Sequence, residues 1–219
     1  MRTAIALADR EGIGAVSMRR VAAELGSGAM TLYRYVPDKE ELVRLMADAA
    51  FGARALPEPG PPGWRAQLEL VAHLQWRTYR RHPWLAPVML TSLAAPPVVS
   101  SGLAHVDWSL RALDGLALDE RAKLHLVVSL NGYVGGLAIT RSLEAEQEHR
   151  CGITGEQRQS LDRGLFQSLI GSGRFPALAE NFAHDVGFDL DELFDFGLQR
   201  HLDGLEAFLG GVSPPTTGA

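Results

Sequence analysis

Residues 17–35 read SMRRVAAELGSGAMTLYRY, and this stretch decides the fold. Ser17 is an N-cap residue: its hydroxyl can accept a hydrogen bond from an amide of the following turn, one of the donors that a helix start leaves unpaired. Val21, Ala22 and Leu25 recur at helical spacing and form the expected inward stripe of a short helix. Gly26 follows where a left-handed residue ends a helix, and Ser27-Gly28 completes a tight turn. A second helix is expected from Ala29 to Tyr35, with Leu32 and Val36 facing inward. Its outward set is then Thr31, Tyr33, Arg34 and Tyr35: hydroxyls, a guanidinium and aromatic rings. A helix that only meets water has no need of such a face. A helix seated in the major groove of DNA does, because these groups reach phosphates and base edges. Pro37 stops the helix, Asp38 caps the next one, and Lys39 at its start can meet a phosphate.

Outward from this stretch the pattern stays helical. Residues 39–50, KEELVRLMADAA, place Leu42, Leu45 and Met46 on one face, and residues 64–82 do the same with Leu68, Val71, Ala72 and Gln75/Trp76. Alternating strand patterns between turn pairs are absent, so the expected class is all-α. Proline and glycine punctuate the chain at PEPGPPG (57–63), AAPP (94–97), CGITG (151–155) and GSGRFP (171–176). The organisation expected is a three-helix domain over 1–50 that carries this stretch, a Pro/Gly-rich linker over 51–63, a larger helical domain over 64–210, and a flexible tail over 211–219.

Composition narrows the classes. At 219 residues, 46% hydrophobic and 21% charged, the chain is that of an ordinary folded protein. Its single cysteine, Cys151, excludes a disulfide framework within the chain and the multi-cysteine zinc sites. No uninterrupted apolar run reaches the length of a membrane span, and MRTAIALADREG lacks the marks of a secretory signal, so a cytoplasmic protein is expected. The formal charge is −5, but local charge decides nucleic-acid binding. Between Ser17 and Lys39, Arg19, Arg20, Arg34 and Lys39 outnumber Glu24 and Asp38. Between Phe188 and Leu209, six carboxylates face one guanidinium, Arg200.

The stretch Ala6–Met46, ALADREGIGAVSMRRVAAELGSGAMTLYRYVPDKEELVRLM, resembles the tetracycline-repressor (TetR) family of bacterial regulators. The resemblance rests on an alanine-rich first helix ending at Gly12, then Ser17, Ala22-Ala23, Leu25-Gly26, Leu32-Tyr33 and Lys39-Glu40-Glu41-Leu42 in fixed order. More loosely, PWLAP at 83–87 and the late acidic amphipathic helix resemble the family's C-terminal domain. The resemblance implies phosphate contacts from Ser17, Arg19, Tyr33 and Lys39, and base-side contacts from Ala29, Thr31, Arg34 and Tyr35. Tyr35 stands where a histidine is common in the family, so the base preference does not carry over. For Arg20 a structural pairing is expected instead, and Met30 suits packing as well as a groove contact. The function implied is repression relieved by a small molecule, with double-stranded operator DNA, a second copy of the chain and an unidentified effector as partners.

The later sequence fits that expectation. Leu124–Ile139, LHLVVSLNGYVGGLAI, is apolar almost all round and must be covered on several sides, by the chain's own core and by a partner subunit. Gly132, Gly135 and Gly136 make sense there where backbones or a ligand approach closely. The final helix, 188–209, repeats apolar residues at Leu190, Phe194, Leu198, Leu202 and Leu205, and these five are the expected dimer contacts in a four-helix interface. His73, Trp76, His105, Trp108, Asn131 and Tyr133 are the candidate ligand contacts, set among apolar residues that favour a mostly apolar effector. Each can equally be a core residue. Neither a cofactor nor a metal is expected, because no paired ligand spacing is present, and none of the common hydrolase, metalloprotease or nucleotide-binding motifs occurs. The competing class is a helical redox or small-molecule-binding protein, or an enzyme, without DNA binding. Cys151 beside His149 and Arg150 is its one foothold.

Overall fold

The computed structural model describes residues 1–90, 98–152, 155–182 and 189–211, with the backbone alone at 149 and 155–162. The break expected at 94–97, residues 153–154 of the break at 151–155, and the expected tail from 212 onward lie outside them. Among the described residues there are eleven α-helices and no strand, so the all-α expectation is met. In chain order they are α1 (Arg2–Glu11), α2 (Met18–Glu24), α3 (Ala29–Tyr33), α4 (Lys39–Phe51), α5 (Trp64–Arg81), α6 (Leu85–Met89), α7 (Ser100–Ala112), α8 (Glu120–Cys151), α9 (Gly155–Ile170), α10 (Pro176–Phe182) and α11 (Leu190–Gly211). A single 3-10 turn, Ile13–Ala15, joins α1 to α2.

The first four helices share one small core. α1 contributes Ala4, Leu7 and Ala8, α2 contributes Met18, Val21 and Ala22, and α4 contributes Leu42, Met46 and Ala47. Ser17 caps α2 by accepting from the Arg20 amide at 3.3 Å, and Asp38 caps α4 by accepting from the Glu41 amide at 2.7 Å. Gly26 sits at φ 64°, where a Cβ would be strained, and it lets the Ser27 amide turn back to the Ala22 carbonyl at 2.9 Å. Two details differ from the sequence reading. Leu25 is 51% exposed rather than inward, because α2 has already ended at Glu24 and the helical period no longer aims it at the core. α3 ends at Tyr33, two residues earlier than expected. Pro37 restricts Val36 to extended conformations, so only a closing turn follows, in which the Tyr35 and Val36 amides both reach the Leu32 carbonyl at 3.0 Å.

The larger bundle forms around α5, α8 and α11. Leu68, Val71, Ala72 and Trp76 of α5 meet Val127, Leu130, Val134 and Ala138 of α8 and Phe194, Leu198, Leu202 and Leu205 of α11. Each large side chain so buried contributes about 1.5–3 kcal/mol. The Trp76 ring stacks on Phe194 at 4.9 Å and donates its indole N–H to Asp191 at 2.7 Å. Gly135 fulfils the expected close approach, since a Cβ there would lie 2.6 Å from Leu90. α8 is long and apolar enough, by length and composition alone, to cross a membrane, with a mean hydropathy of 1.2 over its best window. It packs here against α5, α6, α7 and α11, in the manner of a core helix.

Two joints connect the parts. Asp9 of α1 accepts the Trp84 indole N–H at 2.7 Å and meets His82 Nδ1 at 2.7 Å, both from the turn between α5 and α6. Asp48 of α4 accepts the Ser101 amide at 2.8 Å, while the Ser101 hydroxyl returns a bond to the Asp48 carbonyl at 2.9 Å. Within the segment expected as a linker, two residues meet the bundle. Gln67 donates to the Pro61 carbonyl at 3.0 Å, and Gly60 lies so close to Trp108 that a Cβ would come within 2.7 Å of the indole.

Candidate functional site

The outer face of α3 is bare. Thr31, Tyr33, Arg34 and Tyr35 are all exposed, Tyr35 at 80% and Met30 at 78%. Ala29 is half-buried at the start of the helix, while Ser17, Arg19 and Lys39 are exposed on the adjoining helix starts. Support comes from beneath, where Val36 is buried and Leu32 packs against the core. Large apolar groups left in water cost free energy, so an exposed Met30 and Tyr33 on a five-residue helix, with Tyr35 in the turn that closes it, mark a surface kept for contact.

Charge is sorted in the same way. Behind the reading face, Arg10 pairs with Glu11 at 2.9 Å and with Glu24 at 2.7 Å, and Arg20 also pairs with Glu11. Hydrogen bonds from Arg10 and then Arg20 hold the Glu11 carboxyl below the usual carboxylate range. Arg20 therefore has the structural pairing expected of it. Arg19, Arg34 and Lys39 make no ion pair with any described residue, so their charges remain available to phosphate.

The six candidate ligand contacts fall into three groups. His73 and Trp76 border a cleft of about 240 Å³ whose other described walls are Arg77, Arg80, Asp191, Phe194 and Asp195. His73 Nε2 lies 3.9 Å from Asp195. Outside that cleft and half-buried on α8, Asn131 accepts from the buried Gln75 amide at 3.1 Å, and Tyr133 donates its hydroxyl to the Leu193 and Phe194 carbonyls at 2.8 and 2.9 Å. His105 and Trp108 are elsewhere, buried on α7. The His105 ring meets Phe51 of α4 edge-on at 5.6 Å, and its Nδ1 has no hydrogen-bond partner. Burial holds that imidazole below its ordinary pKa and so keeps it neutral.

Of the five residues expected at a dimer interface, Phe194, Leu198, Leu202 and Leu205 are buried in the chain's own core and Leu190 is half-buried. The periodicity identified a stripe correctly, but α5 and α8 of the same chain cover it. The large apolar residues still exposed on α8 and α11 are Leu124, Leu143, Phe196 and Phe208. Cys151 is an exposed thiol at the last residue of α8.

A capped helix, a glycine turn and a bare second helix, packed on one another and followed by the capped α4, define a helix-turn-helix protein of the DNA-binding class. The signature described as "Bacterial regulatory proteins, tetR family" matches residues 1–46, and that of the "Tetracyclin repressor-like, C-terminal domain" matches residues 56–209. The chain belongs to the TetR family. It is 38% identical over 210 residues to the HTH-type transcriptional repressor DrrR1 of Streptomyces coeruleorubidus, covering 95% of this chain and 76% of that one. It is 32% identical over 208 residues to an HTH-type transcriptional regulator of Saccharopolyspora erythraea, covering 94% and 83%. Among solved structures, the TetR family protein ActR of Streptomyces coelicolor in complex with actinorhodin superposes with a TM-score of 0.79 at 26% identity, covering 97% and 95% of the two chains. Family membership sets the chain among transcriptional regulators rather than enzymes.

Met30, open in the sequence between packing and a groove contact, is exposed. Sequence reasoning missed two things. Asp9, His82 and Trp84 form a joint between parts far apart in the chain, with no local signal. The arginines near the end of α5 gather with Arg141 of α8, which only the packing of two helices can disclose.

Proposed function

We propose that this chain is a ligand-responsive repressor that binds a palindromic or near-palindromic operator as a homodimer and leaves it when a mostly apolar small molecule binds the larger domain. The carrying observation is the exposed outer face of α3 and its closing turn, with Arg34 and Lys39 ion-paired to no described residue. One five-residue helix reads too few base pairs for a specific site, so two copies on paired half-sites are required. In this reading Ser17, Arg19, Tyr33 and Lys39 hold phosphates, and Ala29, Thr31, Arg34 and Tyr35 face bases. The divisions at 1–50, 51–63 and 64–210 separate reader, connection and ligand domain. The partner subunit covers Leu124, Leu143, Phe196 and Phe208. The similar repressor from Streptomyces coeruleorubidus and the actinorhodin complex of ActR support repression and effector binding respectively.

Effector binding acts on DNA only through its difference in affinity between the two dimer conformations. The joint between Asp48 and Ser101 carries movement of the bundle to α4 and so to the spacing of the two reading helices. A coupling of about 1–3 kcal/mol loosens the operator roughly 5- to 150-fold. The His73/Trp76 cleft is the entrance from which an effector reaches Asn131 and Tyr133, and a buried neutral His105 offers a further polar contact. A band-shift titration with the DNA upstream of the gene tests the reading. Lys39→Ala and Tyr33→Ala are expected to weaken every sequence, whereas Thr31→Ala changes base preference. Loss of none of these rejects the assignment of the reading face. For the effector, a thermal-shift screen followed by the same band shift is expected to yield compounds that stabilise the dimer and release DNA. Stabilisers that never alter operator affinity reject the coupling.

A further inference from the structure

We propose that the cleft between the last turns of α5 and the second half of α8 binds a small, multiply charged anion of phosphate or carboxylate type. Four guanidinium groups line this cleft of about 300 Å³: Arg77, Arg80 and Arg81 of α5, and Arg141 of α8. Arg80 is ion-paired to Asp191 at 3.0 Å. Arg77, Arg81 and Arg141 pair with no described carboxylate. The residues lining this cleft are thus four cations and no carboxylate, with one ion pair, to Asp191 at its edge, on a chain whose overall charge is −5.

The end of a helix accounts for part of this. Unpaired carbonyls at the C-terminus of α5 favour cations, which suits Arg80 and Arg81. They do not account for Arg77, a turn further back, nor for Arg141, which comes from another helix well before its end. Gathering like charges is unfavourable unless a counter-charge fills the space between them. Guanidinium forks from two helices match the paired oxygens of phosphates and carboxylates, and the surplus of positive charge selects an anion with several negative charges. The neighbouring cleft shares Arg77 and Arg80 but is walled by Asp191 and Asp195, which repel an anion and confine it to the arginine end. All four arginines are exposed, so entry needs no rearrangement. This site is independent of the operator reading, and it adjoins the His73/Trp76 cleft through Arg77 and Arg80.

The test is calorimetric titration of the purified full chain with sodium pyrophosphate and, separately, with sodium citrate, each at an ionic strength held constant with sodium chloride. Saturable binding of one anion per chain is expected. The double variant Arg77→Gln/Arg141→Gln is expected to weaken it about tenfold or more, with an unchanged melting temperature when no anion is added. Tighter binding of pyrophosphate assigns the phosphate type, and tighter binding of citrate assigns the carboxylate type. Absence of saturable heat with both anions overturns the proposal, as does equal affinity in the double variant. Dissociation of the double variant into monomers in sedimentation also overturns it, because the arginines would then be holding the partner subunit.

Discussion

α3 and α11 use their side chains in opposite ways. The five residues of α3 include none that is buried, whereas α11 sinks Phe194, Leu198, Leu202 and Leu205 between α5 and α8. α11 is held by what it contributes to the core. α3 buries no residue fully: it packs against α2, rests its half-buried Leu32 on the shared core, and has the buried Val36 in the turn behind it. A surface that must stay free for another molecule cannot also anchor itself. The two helices should therefore fail differently when altered, α11 in folding and α3 in recognition.

The sharpest contrast is expected from Leu198→Glu. Leu198 is 0% exposed, and a carboxylate there has no partner, so the cost is at least about 3–5 kcal/mol and the cooperative melt monitored by circular dichroism should be lost. A folded variant with the parent's melting temperature would break the assignment of this stripe to the core. Next comes the outer side of the same helix. Phe196→Asp with Phe208→Asp should leave the fold intact but remove about 1.5–3 kcal/mol of apolar burial at each site between subunits, giving monomers in sedimentation equilibrium. Persistence of a dimer would move the interface off α11. On α3, Arg34→Ala should weaken the best operator by about 1–3 kcal/mol while shifting stability by less than about 0.5 kcal/mol. A drop in melting temperature that matches the loss of binding would erase the contrast.

The smallest effect concerns acid. Burial lowers the pKa of His105 from its ordinary 6.5, so the unfolded chain takes up a proton that the folded chain refuses. Stability then falls as pH drops below about 6.5, by at most about 1.4 kcal/mol per pH unit, and levels off once the folded imidazole also protonates. Urea titrations across this range should show a shallower decline for His105→Leu. An identical decline would assign the acid sensitivity to other groups.

The reading helix was legible in the sequence because its determinants are local. The Ser17 cap, the Gly26 turn and the Asp38 cap each act within a few residues of themselves, so residue type and spacing suffice. Leu25 was misread because its orientation depends on where the helix stops, which spacing alone does not fix. The stripe on α11 was visible, but a periodic pattern says only that something covers it. That α5 and α8 do so is a fact of packing, with Arg65 bound to Asp203 at 2.6 Å along the same seam. Likewise, nothing local separates His73 and Trp76, which border a cleft, from His105 and Trp108, which lie buried on another helix.

Two polar joints tie the first domain to the bundle, Asp9 to the turn holding His82 and Trp84 and Asp48 to the start of α7, and between them Phe51 of α4 packs edge-on against Tyr79 and His105. A body fastened at one point can swivel in any direction, like a ball in a socket. Fastened at two separated points, it swings as a door does, about the line through its hinges. In the proposed dimer each α3 would then keep to a narrow arc, and the two arcs together would set the half-site separations offered to DNA. Removing either joint, with Asp9→Ala or Asp48→Ala, is expected to widen that arc.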